Sequence, residues 1–204
     1  MVRPVGSARD RILDTASALF YRSGYQAVGV DVIVAESGVA KMTLYRHFPS
    51  KDHLIAAYLE RSDDEFWTWL EGEIAPVDEP AAKLVAAFEA IGKLATSARC
   101  QGCTFQGVAA EYPGLDHLGH GVAIAHKRRA LERFGELARE AGLRDPEGLA
   151  AGLLLLMDGA WVANRMFGPA NHAGSVAGAA RALIAAHADA AECADRPGGP
   201  VKNG

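Results

Sequence analysis

The sequence lacks a long uninterrupted hydrophobic run. The longest apolar stretch, residues 149–157, is interrupted by Gly152 and ended by Asp158, well short of the roughly 20 residues that a membrane-spanning helix requires. Residues 1–7 contain no apolar segment of the kind found in secretory signals. We therefore expect a cytoplasmic protein with no membrane partner.

The sequence also lacks the motifs of common catalytic sites. It has no glycine-rich phosphate loop, no nucleophile elbow and no H-E-x-x-H pattern. The seven histidines are scattered along the chain. We expect a protein that is not an enzyme, with no catalytic residue and no cofactor.

Cysteine is scarce, with three residues in 204, and in a reducing compartment these are expected to be thiols. Cys100 and Cys103 form a C-x-x-C, and His117 and His120 follow at a spacing loosely similar to that of a zinc finger. An alternative is therefore a small metal-binding or enzymatic helical protein that uses these four side chains. The two histidines are only three residues apart and no strand hairpin is predicted around the cysteines, so we predict no metal site.

No segment alternates apolar and polar residues with the period of two that is typical of β-strands. Apolar residues instead recur every three or four positions, which predicts an all-α protein. Glycine, proline and capping residues then divide the chain into helices. The predicted helical ranges are 8–21, 31–37, 39–48, 51–74, 80–99, 104–111, 116–141, 146–167 and 173–193.

Residues 38–51 form the most informative segment. Gly38 can close one helix in the left-handed conformation, and Pro49 prevents the next from continuing past Phe48. In that short helix Val39, Leu44 and Phe48 are spaced to bury one side. The other side carries hydrogen-bond donors that can reach phosphate oxygens and base edges in a major groove: Lys41, Thr43, Tyr45, Arg46 and His47. The pattern is typical of the second helix of a helix-turn-helix.

The charge distribution agrees with this interpretation. The net charge is −4, but residues 1–53 carry seven basic and five acidic side chains, so the remainder carries −6. A basic head on an acidic body attracts phosphate only where the helix-turn-helix lies.

The first quarter of the chain resembles the DNA-binding head of the tetracycline-repressor (TetR) family of transcriptional regulators. The resemblance rests on residues 9–20, Gly24-Tyr25, residues 30–39, Thr43-Leu44-Tyr45, His47-Phe48 and residues 50–54. The sequence departs from the family pattern at Gly29, where a Thr or Ser cap is usual, at Val34 in place of Ala, and at Ala40 and Met42, which replace Ser and Gly. The two hydroxyls missing at Gly29 and Ala40 remove possible phosphate contacts.

The resemblance implies an N-terminal three-helix helix-turn-helix DNA-binding domain over residues 1–53. A C-terminal helical ligand-binding and dimerisation domain would follow over residues 54–194, with a disordered tail over residues 195–204. It also implies three partners: a double-stranded palindromic DNA operator, a small-molecule effector and a second copy of the chain. We expect a repressor that contacts base edges through Lys41, Met42, Thr43 and Arg46, and phosphates through Tyr45, His47 and Lys51.

The predicted helix 147–167 is apolar on nearly all sides between residues 149 and 157, and such a helix must be covered on every side. The last helix is rich in small residues that allow close helix approach. Together they suggest half of an intermolecular four-helix bundle, although a buried monomer core is the alternative. The predicted dimer interface comprises Leu149, Leu153, Leu156, Ala179 and Leu183.

Large apolar side chains of the body could line a ligand chamber, although such residues also form ordinary cores. Asp158 interrupts an apolar helix, so its carboxylate requires a partner, for which Arg165 and His126 are candidates besides a ligand. Glu111 and Asn164 are ambiguous in the same way. We expect a hydrophobic, aromatic or polycyclic effector rather than a sugar or nucleotide. The predicted ligand-binding residues are Phe66, Trp69, Leu70, Phe88, Phe105, Glu111, Met157, Asp158 and Trp161.

Overall fold

The computed structural model describes residues 6–188, which form nine α-helices and one short 3-10 helix, with no strand in that range. The all-α prediction is confirmed. The predicted tail 195–204 and the predicted end of the last helix lie outside the described residues. The helices are α1 (Ala8–Ser23), α2 (Val30–Ser37), α3 (Lys41–His47), α4 (Lys51–Ile74), α5 (Pro80–Ala95), α6 (Thr104–Glu111), α7 (Leu118–Glu140), α8 (Pro146–Phe167) and α9 (Val176–His187), with the 3-10 helix His172–Ser175 before α9.

Several helix boundaries differ from the predicted ones, among them the end of α1 at Ser23 and the start of α3 at Lys41. At three others local hydrogen bonds account for the difference. α5 ends four residues early, since Thr96 leaves the helical conformation and Cys100 N–H then bonds to the Ser97 carbonyl in a turn. α7 begins two residues late because the His117 side chain caps it by accepting from Gly119 N–H. Asn171 similarly caps the 3-10 helix that precedes α9.

The first three helices enclose a small hydrophobic core, and we call α1–α3 the head. Gly38 ends α2 at φ +64°, in the left-handed region predicted for it, and α3 ends at His47 before Pro49. Val39, Leu44 and Phe48 are buried as their spacing predicted. This packing holds the opposite side of α3 toward solvent.

The remaining helices, α4–α9, form the body, with α8 packed between α7 and α9. By length and composition alone α8 could cross a membrane, which the apolar-run argument did not anticipate. Its buried side chains lie in the central core of the body, and its Asp158 is ion-paired to α7. These are the contacts of a core helix.

Head and body are joined by more than the continuous α4. The hydrophobic core of the head includes Tyr58 and Leu59 of α4, and it also includes Phe105 and Val108 of α6. It therefore continues past residue 53. Since α6 packs in the hydrophobic core of the head, a displacement of α6 would also shift the helix-turn-helix.

Candidate functional site

The outer side of α3 presents the donors predicted to contact DNA. Lys41, Met42, Tyr45 and Arg46 are exposed, with Met42 at 81%. Thr43 and His47 are partly buried. Arg9 of α1 lies over the ring of Phe48, with its guanidinium carbon 5.2 Å from the ring centroid, and helps to fix the end of α3.

Lys41 has a partner that the sequence reasoning missed. Its Nζ lies 2.7 Å from Asp31 Oδ1 of α2, and this hydrogen bond raises the pKa of Lys41. Both side chains are largely exposed, so the pair is worth little and can open in favour of a base edge. Lys41 therefore remains protonated. In the absence of another acceptor, its ion pair with Asp31 keeps its side chain beside α2.

Lys51 lies at the first position of α4. Ser50 caps this helix by accepting from His53 N–H at 3.3 Å, and the free N–H groups of the first turn attract an anion. Partial burial lowers the pKa of Lys51. The helix N-terminus and the lysine together suit a phosphate of the DNA backbone.

A cavity of about 460 Å³ separates head and body; we call it the head–body cavity. It is bounded by α1, α4, the end of α5, the 100–103 turn, α6 and α8. Its lining contains six aromatic side chains and one charged side chain, so its character is mainly apolar. The lining residues are Ser17, Ala18, Tyr21, Tyr58, Ser62, Glu65, Phe66, Trp69, Leu94, Cys100, Gly102, Cys103, Thr104, Phe105 and Trp161.

Four of the nine predicted ligand-binding residues line this cavity: Phe66, Trp69, Phe105 and Trp161. The others do not. Leu70, Phe88 and Met157 are buried in the core of the body because they lie on the inward stripes of α4, α5 and α8. Glu111 and Asp158 have partners within the chain and lie outside the cavity lining.

Glu111, at the end of α6, binds the turn between α1 and α2. Its carboxylate accepts from the backbone N–H of Tyr25 at 2.9 Å and from that of Gln26 at 2.7 Å. At the start of α6, Tyr25 Oη bonds to the Thr104 carbonyl at 2.8 Å, and Thr104 Oγ1 donates to Tyr58 Oη at 2.8 Å. Both ends of α6 are thus fastened to the head or to the adjoining part of α4.

The partner of Asp158 is Lys127 of α7, rather than Arg165 or His126. The rotation of α7 against α8 places Lys127 opposite Asp158, whereas Arg165 donates to the Gln101 carbonyl at 3.2 Å.

The other two candidate groups are also bound within the chain. His126 Nδ1 lies 2.6 Å from Oδ1 of Asp63 on α4. Burial lowers the pKa of His126, so the neutral ring donates to the Asp63 carboxylate. Asn164 is also bound internally, to the Ala95 carbonyl.

The four side chains of the alternative zinc site, Cys100, Cys103, His117 and His120, are not brought together in the structure. Within residues 6–188 no three His, Cys, Asp or Glu side chains are grouped in a way that could hold a metal ion. Cys100 and Cys103 are free thiols in the cavity wall, and burial raises the pKa of both. The rings of His117 and Tyr112 are stacked, with their centroids 4.1 Å apart, and His120 Nδ1 lies 3.2 Å from the Tyr112 carbonyl oxygen.

Two of the five residues predicted for the dimer interface are buried within the chain. Leu149 and Leu153 are fully buried because they lie in the central core of the body, so they are unavailable to a partner. Leu156 and Leu183 are partly buried, and Ala179 is exposed. The outward side of α8 instead carries Ala151, Leu155, Gly159, Val162 and Met166, of which Leu155 is 74% exposed.

Sequence reasoning missed Tyr58, Ser62 and Glu65 in the cavity wall, although a helical signal was present. These residues recur at three and four positions along α4 together with Phe66 and Trp69. Tyr21 had no such signal, because it reaches the cavity only through the docking of α1 on the body. Its hydroxyl donates to the Arg99 carbonyl at 3.3 Å and accepts from Gln101 N–H at 2.8 Å.

The fold and these sites define a class: helical proteins that carry a helix-turn-helix head on a body with an apolar cavity. The model of the bacterial regulatory proteins of the tetR family matches residues 12–58. The structure of a TetR-family transcriptional regulator from Streptomyces coelicolor is similar to this one with a TM-score of 0.83 and 31% identity, over 89% of this chain and 96% of that chain. The chain belongs to the TetR family of transcriptional regulators.

Curated relatives match over less than half of the chain. The HTH-type transcriptional activator FasR of Mycolicibacterium smegmatis is 36% identical over 87 residues, covering 43% of this chain and 40% of that protein. The HTH-type transcriptional repressor KstR of Rhodococcus jostii is 47% identical over 53 residues, covering 26% and 25%. The chain aligns with 40% or less of the length of these curated relatives.

Proposed function

We propose that this protein is a homodimeric regulator of transcription that binds a palindromic operator and is released from it by a hydrophobic small molecule. The observation that carries the proposal is the position of the head–body cavity. Its wall includes α1 of the head and α4, which follows α3 directly in the chain. It also includes α6, whose Glu111 binds the α1–α2 turn. A regulator that acts on chromosomal DNA in this way works in the cytoplasm.

The exposed side of α3 would enter a major groove. Lys41, Met42, Thr43 and Arg46 would reach base edges, while Tyr45, His47 and Lys51 would hold phosphates. Two heads related by two-fold symmetry would read half-sites about one helical turn apart. The exposure of α3 and the anion-binding N-terminus of α4 support these roles.

Dimerisation would use the outward sides of α8 and α9. The apolar stripe of α8 from Ala151 to Met166 is continued on α9 by exposed Ala179 and Ala182. Small residues on α9 would allow close approach of a second α8–α9 pair, completing a four-helix bundle. An apolar stripe left in water favours burial against an identical stripe under two-fold symmetry.

Release would follow from movement of α4 and α6. A ligand that separates the cavity walls displaces Phe66 and Trp69 on α4 and Phe105 on α6, and both helices carry the displacement to the head. In a dimer a small change in the separation of the heads breaks register with both grooves at once. A preference of about 2.7 kcal/mol for the spread state lowers operator affinity about a hundredfold.

The test is a genomic binding-site selection with the purified protein, followed by titration of the selected DNA with and without apolar compounds. We expect a palindromic site and loss of affinity when compounds quench tryptophan fluorescence. Absence of any sequence preference at moderate salt would refute the regulator proposal. A transcription assay on the selected promoter distinguishes repression from activation, since only a repressor lowers the transcript until the compound is added.

A further inference from the structure

The head–body cavity differs from a plain apolar pocket in one respect. Among the described residues that line it, the one charged side chain is acidic, Glu65. Lysine and arginine are absent from that lining. Two cations lie just behind the lining. Arg61 Nε, on the preceding turn of α4, lies 3.7 Å from Glu65 Oε1, and Lys127 Nζ lies 3.8 Å from Cys103 Sγ but is ion-paired to Asp158.

Arg61 is already bound by other groups, which leaves a negative charge at the cavity. Its guanidinium donates to Asp14 at 2.6 Å and to Ser17 Oγ at 2.5 Å. Arg61, Asp14 and Glu65 together carry one net negative charge. Glu65 is 72% exposed, so it lies at the solvent side of the cavity rather than at its base.

Three of the hydroxyl groups in the lining have no free proton to offer an anion. Ser17 Oγ donates to the Leu13 carbonyl, Ser62 Oγ to the Tyr58 carbonyl, and Tyr21 Oη to the Arg99 carbonyl. Ser17 Oγ also accepts from Arg61 and Tyr21 Oη from Gln101 N–H, so these three oxygens act as acceptors and give an anion no hydrogen bond.

The aromatic rings add the same preference. The face of an aromatic ring is electron-rich and attracts a cation within about 6 Å, and quaternary ammonium groups are bound in this way because their charge is weakly hydrated. Phe66 and Trp69 lie beside Glu65 on α4, with ring centroids 5.6 Å apart. Aromatic surface and a carboxylate therefore occur together on the same turn of the cavity wall.

We infer that the effector is an amphiphilic organic cation, with an aromatic or alkyl body inside the head–body cavity and an ammonium group at its solvent side near Glu65, Phe66 and Trp69. This inference rests on the proposed function, in that it names the chemistry of the effector at the same cavity. Phosphorylated or carboxylate ligands are disfavoured, because the lining offers them no cation.

The experiment compares two probes of equal shape: (2-naphthylmethyl)trimethylammonium and its neutral isostere, in which carbon replaces the quaternary nitrogen. Binding to the full chain is followed by tryptophan fluorescence, because Trp69 and Trp161 line the cavity, and by calorimetry. We expect the cation to bind at least about fivefold more tightly. In Glu65→Gln this preference should fall, with affinity for the neutral probe unchanged.

Asp64→Asn is the matched control. It removes the same charge from the neighbouring residue, which lines a different groove, so it should keep the preference for the cation. Trp69→Leu should weaken binding of the cation more than binding of the neutral probe. Three results would overturn the inference. They are equal affinities for the two probes, tighter binding of the corresponding naphthylmethyl sulfonate, and an equal loss of the preference for the cation in Glu65→Gln and Asp64→Asn.

Failure of this inference can be told apart from failure of the proposed function. A protein that selects a palindromic operator but binds neither probe loses the cation inference and keeps DNA-binding regulation. Binding of the cation with loss of preference in Glu65→Gln supports the inference even if no operator is selected, and in that case it is the regulator proposal that fails.

Discussion

The carboxylate of Glu111 accepts a hydrogen bond from the backbone N–H of Tyr25, 86 residues earlier in the chain, at 2.9 Å. It also accepts one from the adjacent N–H of Gln26 at 2.7 Å. Two backbone donors of the α1–α2 turn are satisfied by a side chain of the body. Charge-assisted hydrogen bonds of this kind are worth about 1.5–3 kcal/mol each. The pair links the end of α6 to the turn that precedes the helix-turn-helix.

Replacement of Glu111 by Gln should weaken communication between cavity and head. The amide keeps one acceptor oxygen but loses the charge, so about 1–2 kcal/mol of this link is lost. We expect the ratio of operator affinities without and with saturating effector to fall several-fold, measured by fluorescence anisotropy. Glu73→Gln, an exposed change on α4, is the control and should leave the ratio unaltered. An unchanged ratio in Glu111→Gln would exclude this link from the coupling.

The sequence predicted those features that depend on local stereochemistry. The end of α2 follows from Gly38 and the end of α3 from Pro49, and the start of α8 follows from Asp145 as cap and Pro146 at the first position. The buried stripe of α3 likewise follows from residue spacing. Such features depend on residues within one or two turns of each other, so one segment contains all the necessary information.

Features that depend on how helices are rotated against each other could not be predicted in this way. α8 is apolar on nearly all sides, so its sequence does not reveal that Leu153 faces inward and Leu155 outward. Lys127 and Asp158 lie on different helices, and nothing local to either residue pairs them. The cavity depends on the docking of α1 on the body, which is why Tyr21 was missed.

Substitutions of two leucines on α8 should distinguish the proposed dimerisation from folding. Leu155→Glu places a charge on the exposed stripe, so we expect a folded monomer in sedimentation analysis at micromolar concentration and weaker operator binding. Leu153→Glu buries an unpaired charge in the core and should unfold the chain. Circular dichroism checks that helix is retained in the first variant. A wild-type monomer at tens of micromolar would refute two-fold operator recognition.

Two lysines of the proposed DNA-binding face should differ in what they contribute. Lys51→Ala removes the proposed phosphate contact, so affinity should fall for all sequences and the slope of log affinity against log salt should decrease by about 1. Lys41→Ala removes the proposed base contact and should cost roughly 1–3 kcal/mol at one base pair. Lys93→Ala, on the exposed side of α5, controls for net charge. Identical salt slopes for Lys51→Ala and Lys93→Ala would exclude Lys51 from the interface.

His126 should make stability depend on pH between neutral and mildly acidic conditions. Burial against Phe105 and Phe66 lowers the pKa of its ring below the unfolded value of about 6.5, despite the nearby Asp63. The unfolded chain therefore binds more protons than the folded chain in this range. The stability contribution is fully present above about pH 6.5 and is lost as pH falls through the folded pKa.

The measurement is the free energy of unfolding in urea at pH 7.5 and pH 5.5. We expect wild type to lose more stability on acidification than His126→Gln, which carries no titrating ring, even though the variant is less stable at pH 7.5 because it loses the stacking on Phe105. His172→Gln removes an exposed histidine and should behave as wild type. If His126→Gln and wild type lose equal stability between the two pH values, the buried ring is not responsible for the acid sensitivity.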